Sequence, residues 1–335
     1  MKAVVYDHYG PPEVLHIAEV PKPAPAAGEV LVRVRAAAVT RADAHTREAN
    51  RGSGPLIMLV SRMVSGLRAP RQPILGSEFA GEIVEVGAGV KQFAVGDEIF
   101  GSTGFRFGAH AEFIAVPETA RIAHKPAGTS FVAAAPVGDG GLNSLWCLKV
   151  GNVQAGESVL VYGASGAIGT AAVQLCRNLG THVTAVCNTK NVDLVRSLGA
   201  ERVIDYLKED FTKNGVRYDV IFDAVGKKSF LQTRGSLKAG GRYLATDGFS
   251  NLVMAMWTSR FGDRKSIFKL PPRYTREDVH FLQELMEAGK FRAVIDRTYP
   301  LEQVVEATRY VETQQKTGNV VLTIGDQGFT SVAGS

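Results

Sequence analysis

The chain has 335 residues, with 38 Lys and Arg against 33 Asp and Glu, 36 Gly and only 3 Cys. At roughly 150 residues per domain this is about two domains with ample core, and no apolar run approaches the roughly 20 residues of a membrane span. The start, Met1-Lys2-Ala3-Val4-Val5, lacks a secretory h-region, and an odd cysteine count without a C-x2-C pair argues against a disulfide framework and for a reducing, cytoplasmic setting.

The net charge of +5 is small and spread along the chain, densest at Arg51, Arg62, Arg68 and Arg71. It reads as a solvated or phosphate-attracting surface, and no nucleic-acid partner is expected.

In chain order, residues 1–6, 14–20 and 29–38 are short Val-rich runs that predict strands, separated by the proline-rich 21–25, which is barred from a central strand. The segment 54–70 is apolar and basic, with Leu56, Ile57, Leu59, Met63 and Leu67, and is expected to be helical. Strands follow at 82–86, 98–101 and 110–116. From about Phe131 the pattern changes to strands alternating with helices: strand 158–162, helix 168–179, strand 182–187, helix 192–198, then strands 219–222 and 242–246. That alternation predicts a parallel, doubly wound α/β sheet. Thr275-Arg276-Glu277-Asp278 opens a capped amphipathic helix. Residues 301–313 form another helix, 319–324 a last strand, and 326–335 a flexible tail.

The strongest local signal is Gly163-Ala164-Ser165-Gly166-Ala167-Ile168-Gly169, lying between a predicted strand and helix. A dinucleotide pyrophosphate needs backbone N–H groups at close range and a helix N-terminus aimed at it. Gly166 permits the approach and Gly169 lets the helix pack on the sheet, while Ala164 replaces the usual first glycine. Ser165, Gly166, Ala167, Ile168 and Gly169 are therefore the expected pyrophosphate frame. At the end of the second strand, where an NAD site carries Asp or Glu for the ribose, the chain has Asn188-Thr189-Lys190. Hydrogen-bonding side chains and a cation suit a 2′-phosphate, so the expected cofactor is NADPH (NADP+).

Beside that turn, 73–81 (PILGSEFAG), 84–90 (VEVGAGV), 93–99 (FAVGDEI), 198–200 (LGA), 204–206 (IDY), 222–226 (FDAVG) and 318–322 (GNVVL) occur collinearly. On these the chain resembles the medium-chain dehydrogenase/reductase superfamily, in its zinc-free quinone oxidoreductase-like branch. The resemblance implies an α/β fold: a Rossmann doubly wound parallel sheet plus a GroES-like β-rich substrate domain, with the active site in the cleft between them. The expected bounds are 1–125 for the first part of the substrate domain, 126–265 for the Rossmann NADP-binding domain, and 266–335 for the return to the substrate domain. A homodimer through Rossmann edge strands is the family default.

The resemblance also bears on metal. Where zinc-dependent members carry Cys and His, this chain has Thr40 and Ser77, a third ligand would fall near Asp139, and the four-cysteine zinc lobe is missing. Catalytic zinc needs three good ligands and an open position, so no metal is expected. Without a Lewis acid, a quinone or α,β-unsaturated carbonyl is the easier acceptor, because conjugation spreads the incoming hydride's charge onto oxygen. The expected partner is thus a small hydrophobic quinone or enone. The competing readings are an NAD(P)-dependent alcohol dehydrogenase and a non-catalytic NADPH-binding redox sensor.

By position in the family pattern, Thr40 is a candidate donor to a substrate oxygen, Asp43 orients its loop or a water, and His45 is a candidate acid. Tyr206 is expected near the 2′-phosphate, and Asp223, Ala224 and Val225 beside a ribose. Thr246, Asp247, Gly248 and Phe249 are expected at the nicotinamide carboxamide, and Asn319 closing over the cofactor. The 54–70 segment is read as a substrate lid, a dimer contact, a helix packed on its domain or, least favoured, a peripheral membrane contact.

Overall fold

The computed structural model describes residues 1–49, 55–269 and 272–325, with the backbone alone of 55–57, 60, 64, 139, 249 and 250. Contacts divide the chain into two units, Met1–Gly138 with the stretch from Ile295 onward, and Asp139–Val294. The expected tail 326–335 lies outside the described residues.

The first unit is built on strands. A two-stranded antiparallel ribbon joins β1 (Lys2–Val5) and β2 (His16–Glu19). In β3 (Glu29–Val39) nearly every residue after Glu29 is buried, as its Val- and Ala-rich sequence allows. Two helices follow, α1 (Arg41–Arg47) and α2 (Pro55–Ser65). Then come β4 (Glu78–Val86), β5 (Glu98–Ser102), β6 (Phe113–Pro117), β7 (Arg121–His124) and the short α3 (Phe131–Ala134). Val32, Val34, Phe79, Ile83, Ile99 and Ile122 form the middle of the core.

The second unit begins with α4 (Asn143–Val150), β8 (Ser158–Tyr162), α5 (Ala167–Asn178), β9 (His182–Cys187), α6 (Val192–Ser197), β10 (Arg202–Asp205) and β11 (Tyr218–Asp223). It continues through α7 (Phe230–Thr233), β12 (Leu237–Ala245), α8 (Phe249–Thr258), β13 (Lys265–Ile267) and α9 (Arg276–Glu287). Its six strands are all parallel, in the order β10-β9-β8-β11-β12-β13. The order reverses direction between β8 and β11. The C-terminal end of β8 is therefore a topological switch point, where open α/β sheets bind ligands.

The chain then returns to the first unit as β14 (Ile295–Pro300), α10 (Val304–Glu312) and β15 (Asn319–Thr323). β15 enters between β14 and β3, giving the seven-stranded sheet β14-β15-β3-β4-β5-β7, with β6 also paired to β3.

The expected boundaries after 125 and 265 move to 138 and 294. Residues 126–138 belong with the first unit because α3 packs on β3, β4 and β15. Helix α9, expected in the substrate domain, belongs with the parallel sheet. Gly141 leaves room for Leu282, whose Cδ1 lies 2.8 Å from where a Cβ would stand. Gln174 on α5 exchanges two 3.0 Å hydrogen bonds with the backbone of Arg292, and Asn178 donates to Lys290 O at 2.9 Å.

Candidate active site

The nucleotide turn leaves β8 at the switch point. Gly163 has φ +76°, the left-handed region that favours glycine, and a Cβ there would lie 2.5 Å from Val225 Cγ1. Gly163 thus makes the tight turn assigned elsewhere to the first glycine of the fingerprint, which explains why Ala164 is tolerated. Gly163 and Ala164 both donate to Val186 O, at 3.1 and 3.0 Å, tying the turn to the end of β9.

Gly166 is the N-cap of α5, with no side-chain cap, and Thr170 N donates to its carbonyl at 2.8 Å. The first-turn N–H groups of a helix have no intrahelical partner. A Cβ at Gly166 would have Gly163 O at 3.6 Å as its nearest neighbour, so the space over it is open. A Cβ at Gly169 would instead lie 2.1 Å from Gly163 O and 2.7 Å from Ala164 Cα. This is a cradle shaped for a pyrophosphate: backbone donors at a positive helix end and bare backbone beneath. A nicotinamide dinucleotide fits it.

At the end of β9, Asn188 caps a single helical turn, and its Oδ1 accepts from Asn191 Nδ2 at 2.8 Å, which leaves its own amide N–H groups to donate elsewhere. Lys190 is exposed and makes no ion pair among the described residues. Thr189 departs from expectation. Its hydroxyl donates to Asp205 Oδ2 at 2.6 Å, so that proton serves Asp205 and not a phosphate. This bond, with help from Leu207 N–H and Lys208, holds the Asp205 carboxyl below its ordinary range. Tyr206 N donates to Cys187 O at 3.0 Å, bringing the half-exposed Tyr206 to the end of the same strand.

Asp223 also differs. It is fully buried, and its carboxylate accepts from the backbone N–H of Val225, Gly226 and Lys228 and from the Tyr243 hydroxyl, at 2.8–3.1 Å. Burial raises its pKa against the pull of these donors. The carboxylate therefore shapes the loop that lays Val225 over Gly163 and has no oxygen to offer a ribose. Thr246 donates to Asp223 O at 3.1 Å, and Asp247, exposed, accepts from Gly248 N at 2.7 Å. Phe249 starts α8, and its side chain lies outside the described residues.

In the first unit, Thr40 is the N-cap of α1. Asp43 N donates to its hydroxyl at 3.2 Å, and Thr40 N and Oγ1 both donate to Asp43 Oδ2 at 2.8 Å. Gly76 N donates to Asp43 Oδ1 at 3.0 Å. The Thr40 proton is thus spent on a buried carboxylate, and the expected donation to substrate is corrected to a capping box. Through these bonds Asp43 fastens the start of α1 to the segment that carries Ser77. His110, 1% exposed, adds a second tie by donating from Nε2 to Ala38 O at 2.9 Å. His45 sits half-buried on α1, with Arg41 Nη2 3.5 Å from its Nε2. A guanidinium only donates, so this contact places a cation beside the ring. Asn319 is buried at the start of β15, opposite Ile295.

Two of the three positions expected for zinc ligands offer the metal little. Thr40 is committed to its cap, Ser77 is a poor ligand, and the Asp139 side chain lies outside the described residues. Among the described residues no group of three or more His, Cys, Asp or Glu is placed to hold a metal ion. Of the segment 54–70 expected to be helical, Pro55–Ser65 is helix α2 and 66–70 is not helical. Tyr9 donates to Gly66 O at 2.8 Å and lies under the Arg62 guanidinium, while Leu59, Met63 and Leu67 are exposed. No helix among the described residues is long and apolar enough to cross a membrane.

Residues 26–127 match the family model described as alcohol dehydrogenase GroES-like domain, and 198–322 match one described as zinc-binding dehydrogenase. The chain is 29% identical to an NADPH-dependent alkenal/one oxidoreductase of Arabidopsis thaliana, over 96% of this chain and 79% of that protein. It is 30% identical to a 2-methylene-furan-3-one reductase of Solanum lycopersicum, with the same coverage. The quinone oxidoreductase structure from Coxiella burnetii superimposes with a TM-score of 0.83 at 28% identity, over 97% of this chain and 99% of that one. With the GroES-like β unit and the switch-point turn in place, the chain belongs to the medium-chain dehydrogenase/reductase superfamily, in its quinone oxidoreductase-like branch.

Proposed function

We propose that the protein is a zinc-independent, NADPH-dependent reductase of quinones or α,β-unsaturated carbonyl compounds. A nicotinamide cofactor follows from the family. The choice of NADPH rests on one observation: the β9 end offers an exposed, unpaired Lys190 and the free amide N–H groups of Asn188. The carboxylate nearby, Asp205, is engaged by Thr189, Leu207 and Lys208. A relative named as NADPH-dependent supports the same choice.

When bound, the nicotinamide supplies hydride. The chain's part is to hold it: the α5 N-terminus and the bare backbone at Gly166 take the pyrophosphate, and Asn188 and Lys190 take the 2′-phosphate. In the first unit, Thr40 and Asp43 fix the start of α1, the Thr40 hydroxyl donating inward to the Asp43 carboxylate. His45 lies beside the Arg41 guanidinium. The reaction this arrangement supports is one that needs no strong side-chain acid. A reduced quinone or enone spreads its charge onto oxygen and takes its proton from water.

The supporting relatives are named for alkenal, enone and quinone chemistry, so a small hydrophobic acceptor is the substrate class. A homodimer through the edge strand β13, and a cytoplasmic setting that suits three free buried cysteines, complete the proposal. The test is optical NADPH oxidation with excess EDTA over quinones, enones and simple aldehydes. Turnover of quinones or enones is expected. Turnover confined to aldehydes, or abolished by EDTA, would overturn the reading, as would NADPH binding without turnover on any acceptor.

A further inference from the structure

The end of α5 remote from the nucleotide turn opens on a second cleft of about 410 Å³, lined among others by Arg177, Asn178, Ser197, Leu198, Lys290 and Arg292. The 12 residues of α5 put it about 18 Å from that turn. No carboxylate is among its described lining residues, and Arg177, Lys290 and Arg292 make no ion pair among the described residues. Other cations of this unit are paired, as in Arg202–Glu209, Lys238–Asp219 and Arg242–Glu157.

The walls are held in place. Gln174 grips both backbone groups of Arg292 at 3.0 Å, and Asn178 grips Lys290 O at 2.9 Å. The stem of Arg177 lies flat on Gly199. A Cβ there would come within 2.2 Å of Arg177 Cδ, so the glycine, at φ +114°, keeps the place of the arginine open.

Three helices, α5, α6 and α9, end at this cleft, and cations at helix C-termini have a structural use: they offset the macrodipole. Charge decides how far that use goes. Each C-terminus carries about half a negative charge, so three of them neutralise about half of the three cations and leave roughly +1.5. A phosphomonoester carries about −1.5 to −2 at neutral pH. Two guanidinium forks and an ammonium arriving from separate segments suit its three terminal oxygens. The volume exceeds that of phosphate alone and lies in the range of about 300–1,000 Å³ of small-molecule sites, which leaves room for an organic part.

We propose that this cleft is a binding site for a small soluble phosphomonoester, separate from the cofactor site and independent of the catalytic reading. The experiment is isothermal titration of the full-length protein with inorganic phosphate and with glycerol 3-phosphate, with and without saturating NADPH. Saturable binding is expected in both conditions. Arg292→Gln, and Arg177→Gln with Lys290→Gln, should each weaken it at least about tenfold while leaving Tm and NADPH affinity unchanged. If NADPH fails to bind but phosphate binding keeps its sensitivity to these variants, the cofactor reading fails and the cleft stands. The proposal is overturned by phosphate heats that are absent, that are equal in wild type and variants, or that vanish when NADPH fills the nucleotide turn. Binding to phosphatidic acid vesicles alone, with no soluble phosphate bound, overturns it as well.

Discussion

Replacing Gly166 and Gly169 by alanine, one at a time, separates the two tasks of the nucleotide turn. At Gly169 the new methyl would stand 2.1 Å from Gly163 O and 2.7 Å from Ala164 Cα, both backbone atoms. Neither can rotate away, so α5 must withdraw from the end of β8 by roughly an ångström to reach even a tight contact of 3.0 Å. Overpacking of this kind costs about 1–3 kcal/mol, which for a unit of this size lowers Tm by about 2–12 °C. At Gly166 the nearest atom is 3.6 Å away, an ordinary contact. Stability there should change by less than about 1 kcal/mol, since alanine gains in the unfolded state what it loses as an N-cap. The methyl nonetheless occupies the space a pyrophosphate must enter. Losing one charge-assisted backbone hydrogen bond worth about 1.5–3 kcal/mol weakens NADPH roughly 10- to 150-fold. Differential scanning fluorimetry and a fluorescence titration of NADPH measure the two effects side by side. Wild-type cofactor affinity in Gly166→Ala, or wild-type Tm in Gly169→Ala, would refute the reasoning.

The other predictions concern charge, capping and the thiols. Lys190→Glu is expected to weaken NADPH at least about tenfold and leave NADH unaffected, measured as Kd for each; equal loss for both cofactors would remove Lys190 from the 2′-phosphate. Thr40→Val should cost about 1–2 kcal/mol in urea unfolding, while Thr40→Ser keeps the cap and the stability; full stability of the valine variant with lost turnover would restore Thr40 to catalysis. Burial pushes the Cys147 and Cys176 thiols up to about 12 and Cys187 up to about 11, so the native protein should resist thiol reagents at neutral pH and react only on unfolding. Because these folded values exceed the ordinary 9.0, their contribution to stability is intact below pH 9 and declines as pH rises toward 11. A urea midpoint that rose over that interval would contradict the sign.

The parallel sheet was legible because its signals are local. The strand expected at 158–162 is Ser158–Tyr162, that at 182–187 is His182–Cys187, and the helix between them ends one residue from its expected end. What escaped was long-range. The 20 residues from the end of β13 to the end of α9 reveal nothing of the bonds that Gln174 and Asn178 send across 118 and 112 positions to fix the boundary at 294. The site shows a different failing. Thr40-Arg41-Ala42-Asp43 has the same capping spacing as Thr275-Arg276-Glu277-Asp278, and both are capping boxes. The second reads at once as a helix start, while the first, sitting at a family landmark, draws attention to chemistry. The Tyr243 bond to the buried Asp223 and the commitment of Thr189 to Asp205 were hidden for the reason that hides most polar pairs: the partner lies on another element, many residues away. Gly163 as the turn glycine was readable one position upstream of Ala164.

The position of β15 bears on how the protein is made. This strand is synthesised after every other described element, yet it inserts beside β3, one of the earliest, and its Val321 and Leu322 pair with Ala38 and Ala37. Until it arrives, β3 presents an unpaired edge of buried residues to its surroundings, the kind of template that invites intermolecular pairing. The parallel-sheet unit has no such debt, since all its strands precede residue 295. During translation it is therefore free to close on itself while the stretch from Met1 to Gly138 waits for its last strand. A ribosome stalled shortly before residue 319 would hold one finished unit and one adhesive one.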